Sequence, residues 1–259
     1  MRILVCVKQL LEPETPLCID ESGRWVNISQ TTPRQMNRFD EYALEQALVI
    51  REQTPDTTVD AISAGPESCS TVVRRALGMG ADHGIHLLTG DQGYVSPIRT
   101  ASCIALAARS RKYDLILAGV MSEDMAQGLV GPMVAEMLSL PCATSCIFVR
   151  VELAKASVYV EREIEGGRRQ ALELDLPALV SIQSGINKPR YPSLSNIMRA
   201  NRQKLEVIST VAAEPSRSCE DLLHLSYPRK TRAGVLLEGT RKDKARQLLR
   251  VFRERSLLH

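Results

Sequence analysis

Short apolar runs alternate with segments of helical periodicity through the first two-thirds of this chain. Residues 3–7, 59–63, 85–88 and 115–118 are short and apolar, as strands covered on both faces should be. Between them, residues 40–50 place Ala43, Leu44, Ala47 and Leu48 on one helical face with Glu41 and Glu45 interleaved. Asn37 or Asp40 stands where it would cap that helix. Residues 67–79 follow Gly65-Pro66, with proline suited to a first helical turn. Segments 97–109 and 130–138 complete the alternation. The pattern predicts a doubly wound, mostly parallel α/β sheet. In such sheets ligands lie outside the carboxyl ends of the strands.

After Pro141 the texture changes. Residues 146–153 and 158–165 alternate and are rich in β-branched side chains, and Gly166-Gly167 supplies a turn. Residues 170–174 and 179–183 continue the β character, and the whole region is expected as an antiparallel extension of the same sheet. The rhythm is lost beyond about residue 208. Residues 214–218, Glu-Pro-Ser-Arg-Ser, read as a linker. From Pro228 to the end there are ten Lys/Arg against three Asp/Glu, with Ala245, Leu248, Leu249 and Phe252 at helical spacing. Two readings stay open for this segment: a solvated terminal helix, or an arm that docks on another subunit. A lone terminal helix buries its apolar face poorly without a partner. The division expected is a nucleotide-binding α/β domain over 1–208 and a C-terminal arm over 209–259.

Composition narrows the function. The 259 residues are 44% hydrophobic and 24% charged, enough for a sizeable core. A net charge of +3 does not argue for nucleic acid. No run approaches the ~18 consecutive apolar residues of a membrane helix. The opening MRILVCVKQ enters a strand-like run at once, without a signal or transit peptide pattern. Seven cysteines lack CxxC spacing and read as reduced thiols of a cytoplasmic protein. Four histidines show no metal-ligand spacing. Ser63, Ser122 and Ser181 lack the GxSxG setting of a nucleophile. His83 and His86, at a helix–strand connection, read as surface or second-layer residues. No catalytic residue is expected, so any chemistry would reside in a bound cofactor.

The stretch that carries the candidate ligand cradle is LAGVMSEDMAQGLVGPMVAEMLSLP, residues 117–141, an apolar strand entering an acidic turn and a glycine-punctuated helix start. Gly119 would let backbone approach a ligand closely. Ser122 and Asp124 would bond a ribose or cap a helix. Gln127, Gly128, Val130 and Gly131 would turn backbone N–H groups toward a phosphate, with the helix dipole behind them. The alternative is a glycine-eased turn without a ligand, because the spacing is neither a Walker A loop nor GxGxxG.

Separate segments, in order, carry a family resemblance over roughly residues 1–208. They are VCVKQ at 5–9, MNRFDEYA at 36–43, SAGP at 63–66 leading to RALGMGAD at 75–82, VEREIEGG at 160–167 followed by QAL and LPALVS, and PRYPSLSNIMRA at 189–200. Together they resemble the β subunit of electron-transfer flavoproteins. That resemblance implies a Rossmann-like fold of the adenine nucleotide α-hydrolase type and a heterodimer with an α subunit carrying the redox-active FAD. The chain itself would hold AMP, or a second FAD in the electron-bifurcating branch. By motif match the nucleotide positions are Cys6, Val7, Lys8, Asn37, Asp40, Ala64, Gly65, Gly119, Val120, Ser122, Asp124, Gln127, Gly128, Leu129, Val130 and Gly131. Leu194 would be an apolar anchor entering a partner's pocket, with Ile197 and Met198 beside it. The alternative for Leu194 is a loop leucine tucked into its own core. Electrons from acyl-CoA or other dehydrogenases would pass to a quinone- or ferredoxin-linked acceptor.

Two departures from the family pattern stand out. The phosphate loop places five residues between Asp124 and Val130, a spacing nearer the branch related to nitrogen-fixation electron carriers. A VPDT-like stretch after the first strand is replaced by Leu10–Thr15, LLEPET. A nucleotide-binding signalling or stress domain of similar sheet order is the rival from another class, and it would be a homodimer. An adenylating or hydrolysing enzyme would need a metal-binding or ATP-cleaving motif, and none occurs.

Overall fold

The computed structural model describes residues 1–29, 31–90, 93–210, 220–228 and 234–257. The expected linker at 214–218 lies outside them. The chain divides into a unit of residues Met1–His224 and a second of Leu225–His259.

The first unit holds strands β1 (Arg2–Cys6), β2 (Gln9–Leu11), β3 (Arg34–Met36), β4 (Thr58–Gly65), β5 (His83–Leu88), β6 (Leu115–Gly119), β7 (Cys142–Glu152), β8 (Ser157–Ile164), β9 (Arg168–Asp175), β10 (Ala178–Ile182) and β11 (Glu206–Ser209). Its helices are α1 (Arg38–Gln53), α2 (Ser70–Met79), α3 (Pro97–Arg109), α4 (Val130–Leu138) and α5 (Leu194–Arg202). The main sheet runs β11-β5-β4-β1-β6-β10-β7-β8-β9, and β2 pairs with β3 apart from it. From β11 through β10 to β7 every pairing is parallel, and β8 and β9 are antiparallel. This is the doubly wound α/β fold expected from the alternation.

Period-two burial sorts the two faces. Ile3 and Val5 of β1 join Leu44, Leu48, Val73 and Leu77 of α1 and α2 in one core. Leu4 and Cys6 join Ile104, Ala108, Val134 and Ala135 of α3 and α4 in the other. The chain crosses from one face to the other between β5 and β6, so the order reverses where β1 and β6 lie side by side. The crevice beyond their carboxyl ends is the switch point of the fold.

One expectation needs correcting. Residues 179–183 were expected in the antiparallel extension, but β10 lies between β6 and β7 and parallel to both. All its residues are buried, which is the signature of an interior strand covered on both faces. Alternation in the flanking β7–β9 wing concealed it. Strand β11 extends the opposite edge, with Thr210 N–H continuing onto Leu88 O at 3.0 Å.

The second unit carries α6 (Arg241–Glu254), begun by a capping box in which Thr240 Oγ1 accepts from Asp243 N–H and Asp243 Oδ2 accepts from Thr240 N–H. None of its described residues is buried, and Leu248 and Leu249 are exposed.

Candidate functional site

Three segments meet at the switch point: the exit of β1, the start of α1, and the loop from β6 to α4. Asp40, in the first turn of α1, joins them. Its Oδ2 accepts from Lys8 N–H at 2.7 Å and its Oδ1 from Gly119 N–H at 3.1 Å. One buried carboxylate thus satisfies a backbone donor at the end of each neighbouring strand. Burial pushes its pKa from 3.8 up to about 7, against the lowering by the Lys8, Asn37 and Gly119 donors.

A consequence for stability follows. An acid whose folded pKa is raised favours the folded state when protonated, and that advantage is lost as pH rises from about 3.8 toward about 7. Wild type is therefore expected to lose stability relative to Asp40→Asn across that window, by at most ~1.4 kcal/mol per pH unit. Urea midpoints measured for both proteins from pH 4 to 8 check this, and parallel curves would refute it.

Asn37 sits at the N-cap position of α1, yet its side chain makes no cap. Instead Nδ2 donates to Met121 O at 2.9 Å and Oδ1 accepts from Glu123 N–H at 3.2 Å. An amide that both donates and accepts therefore holds the acidic turn against α1. Lys8 Nζ completes the clasp, donating to Ser122 Oγ at 3.2 Å and to both Asp124 oxygens at 2.7 Å. Lys8 and Asp124 remain almost half-exposed, so this pair orders the loop more than it stabilises the fold.

Beyond this turn the backbone becomes unusual. Ala126 and Gly128 both have left-handed φ, 52° and 63°, and Ala126 N–H bonds back to Ser122 O. The consecutive N–H groups of Gln127, Gly128, Leu129, Val130 and Gly131 find no hydrogen-bond partner among the described residues. The last two are first-turn donors of α4, which a helix leaves unpaired in any case. Glycine is required at 128 by its backbone. At Gly119 it is required by space, and the neighbour there is Asp40 and Phe39.

The other matched positions surround the same crevice. Cys6 ends β1, and Val7 continues it with N–H bonded to Ile62 O at 2.8 Å. Val120 N–H is taken by Ile182 O at 2.9 Å. Ala64 and Gly65 close β4, held by buried His86, whose Nε2 lies 3.2 Å from Gly65 O and 3.1 Å from Pro66 O. Both neighbours are acceptors, so Nε2 carries the proton. His86 is thus a second-layer brace, as its sequence position suggested.

The two buried thiols near these groups are not activated. Burial raises the Cys6 thiol to about 12 and the Cys69 thiol to about 11, so both are protonated at neutral pH. Among the described residues no cluster of metal-ligating side chains occurs.

Away from the crevice, α5 presents the other predicted surface. Leu194 is 75% exposed and Tyr191 85%, with Ile197 and Met198 exposed beside them. Leu194 is therefore no core residue of this chain. Ser193 caps α5, its Oγ accepting from Asn196 N–H, and Arg74 Nη1 donates to Ala200 O at 2.8 Å. Sequence reasoning missed what anchors the preceding strap. Arg190 grips Glu45 of α1 by Nε and Nη2, at 2.9 and 2.8 Å, and reaches Glu52 by Nη1 at 2.8 Å. Asn187 Nδ2 donates to Tyr42 O at 3.0 Å. Acidic side chains on one face of α1, opposite an Arg in the strap, were the only available signal.

These features define a doubly wound α/β protein whose β6–α4 loop, at the switch point, carries a run of amides without a partner among the described residues. The family model described as the electron transfer flavoprotein domain matches residues 24–213. Among curated proteins, "Electron transfer flavoprotein subunit beta" of Bos taurus is 33% identical over 243 residues, covering 93% of this chain and 94% of that one. The Sus scrofa protein of the same name is 36% identical over 210 residues, covering 80% and 81%. That of Bacillus subtilis is 29% identical over 264 residues, covering 98% of each. The chain belongs to the electron-transfer flavoprotein β-subunit family.

Proposed function

We propose that this chain pairs with an electron-transfer flavoprotein α subunit, holds AMP or a second FAD in its switch-point crevice, and helps to shape the FAD site of the pair. The observation that carries the reading is the row of amides from Gln127 to Gly131 without a partner among the described residues, next to left-handed Ala126 and Gly128. Such a concave row with a helix N-terminus behind it suits a phosphate. Lys8, Asn37 and Asp40 hold that row in place. Ser122 and Asp124, held by Lys8 in the turn before that row, suit a ribose.

Redox chemistry in the pair is supplied by FAD when it is bound. This chain's residues bind, orient and exclude water, and they transfer no proton. Leu194, Ile197 and Met198 form the surface on which acyl-CoA or other dehydrogenases dock, because an apolar anchor rimmed by polar groups is the usual centre of such contacts. Electrons then leave to a quinone- or ferredoxin-linked acceptor. The C-terminal arm, 209–259, docks on the α subunit through the exposed Leu248 and Leu249 face of α6. No helix among the described residues is long and apolar enough to cross a membrane. The free thiols of Cys6, Cys18, Cys69, Cys103, Cys142 and Cys146 suit a reducing compartment such as the cytoplasm.

The test is the nucleotide content of the complex copurified with its α partner and then denatured. One AMP and one FAD per pair are expected for the first form, and two FAD without AMP for the second. A complex that releases no adenine nucleotide beyond one FAD would overturn the assignment of the crevice.

A further inference from the structure

One hairpin near the start of the chain belongs to neither the clasp nor the amide row. Residues 18–27 fold back on themselves. Asp20 N–H donates to Trp25 O at 2.8 Å, Asn27 N–H donates to Cys18 O at 2.8 Å, and Ile19 pairs with Val26. The Asp20 carboxylate accepts from Ser22 Oγ and Arg24 N–H, and Gly23 turns the corner at φ 68°. This hairpin carries Trp25, the single tryptophan of the chain. Its indole lies against Gly93, where an added Cβ would come 4.0 Å from Trp25 Cγ. It also forms a tilted pair with Tyr94, ring centroids 6.3 Å apart at 55°. The Tyr94 hydroxyl donates to the Glu220 carboxylate and engages the Gln127 side chain. Gln127 begins the amide row, so Tyr94 stands one side chain from the phosphate cradle and Trp25 one ring further.

We propose that Trp25 and Tyr94 form the aromatic wall of the crevice, against which a planar heteroaromatic ring of the bound nucleotide packs. The inference rests on the nucleotide reading above and adds the residues that meet the ring instead of the phosphate. None of the other positions placed around the crevice, Cys6, Val7, Ala64, Gly65, Gly119 and Val120 among them, carries an aromatic ring. Only 4% of the chain is aromatic, and here two rings meet outside both hydrophobic cores. Core packing therefore does not account for them. Tyr94 is held at its hydroxyl by two polar partners, which fixes the ring while leaving its apolar body for contact.

The experiment uses the complex with its α partner, stripped of exchangeable nucleotide and titrated separately with AMP and FAD. Trp25→Ala is expected to weaken binding of the retained nucleotide about tenfold, the scale of losing one aromatic face from a base. Trp25→Phe keeps a ring and is expected to recover most of that loss. The emission difference between wild-type and Trp25→Phe complexes reports Trp25 alone, and it should change on nucleotide addition. Wild-type binding with an unmoved Trp25 signal and undiminished affinity in Trp25→Ala would overturn the wall and leave the nucleotide reading intact. A wild-type complex that takes up neither nucleotide would overturn both.

Discussion

Gly119→Ala is expected to destabilise the protein by ~3–5 kcal/mol and to strip the crevice of nucleotide. Gly119 has an ordinary φ, so the argument is one of space. A Cβ at this position falls 2.3 Å from Asp40 Oδ1, 2.7 Å from Phe39 Cβ and 2.8 Å from the Phe39 carbonyl carbon. Phe39 and Asp40 are the opening residues of α1, and a carbonyl carbon cannot rotate aside as a side-chain tip would. Relief requires α1 to move from β6 as a body. Overpacking of this kind costs about 1–3 kcal/mol by itself. Displacing Asp40 also removes the acceptor for two backbone donors, Lys8 N–H and Gly119 N–H, and each of these part-buried donors adds about 1 kcal/mol when left unmet.

For a chain of this size a melting point about 10 °C lower should result. The substitution should also open the clasp, because Asn37 can no longer reach Met121 and Glu123 once α1 has shifted. A thermal melt together with the nucleotide released on denaturation measures both effects. Asp40→Ala in the same background should be less damaging than the two separate losses summed, since one of the clashing groups is then gone. A Gly119→Ala protein that melts with wild type would show that α1 and β6 approach less closely than described.

How much of this was readable beforehand differs between elements for physical reasons. Strands β1, β4, β5 and β6 declared themselves because covered parallel strands are apolar on both faces, and residues 3–7 or 115–118 have no other economical use. Helices α3 and α4 began where Pro97 and Val130 were expected to start them. Strand β10 was misplaced because apolarity cannot say which neighbours a strand joins, and pairing depends on chain path. The short β2–β3 pair was invisible, since three-residue strands carry no periodicity. At the crevice, glycines and helix starts gave the loop from residue type alone. What each side chain does there was less legible. Asn37 was read as a possible helix cap and its side chain makes none, and the tie that Asn37 and Asp40 form between three segments carried no signal. Gly119 was read as making room for a ligand, while the space it leaves is taken by Asp40 and Phe39. Such contacts link residues far apart in sequence, and no local pattern encodes them.

Arg190→Ala is expected to cost ~2–3 kcal/mol and to impair docking at α5 while leaving the nucleotide in place. The Glu45 side chain is only 7% exposed and depends on Arg190 for a bidentate grip and a backbone N–H donor at 3.1 Å. Removing the guanidinium leaves a nearly buried carboxylate with that single backbone donor. Breaking a fully buried pair costs about 3–5 kcal/mol, and the lower figure applies because Arg190 is itself 35% exposed and water would enter its place. Arg190→Lys should recover little, since an ammonium cannot reproduce the planar fork that reaches Glu45 and Glu52 together. Glu45→Gln added to Arg190→Ala should restore part of the stability, because no uncompensated charge then remains.

The functional effect follows from where the strap leads. Arg190 immediately precedes Tyr191 and the cap of α5, so freeing it unmoors the exposed surface around Leu194. With the α-paired complex, the KM for the reduced dehydrogenase should rise about tenfold, the penalty of ~1.4 kcal/mol for an interface that must be ordered on binding. The crevice is held from the other end of α1, by Asp40 and Asn37, so nucleotide content should match wild type. Unfolding midpoints and a titration of the dehydrogenase separate the two effects. Equal stability in Arg190→Ala and wild type would mean that solvent already screens the pair, and an unchanged KM would place the docking surface elsewhere than α5.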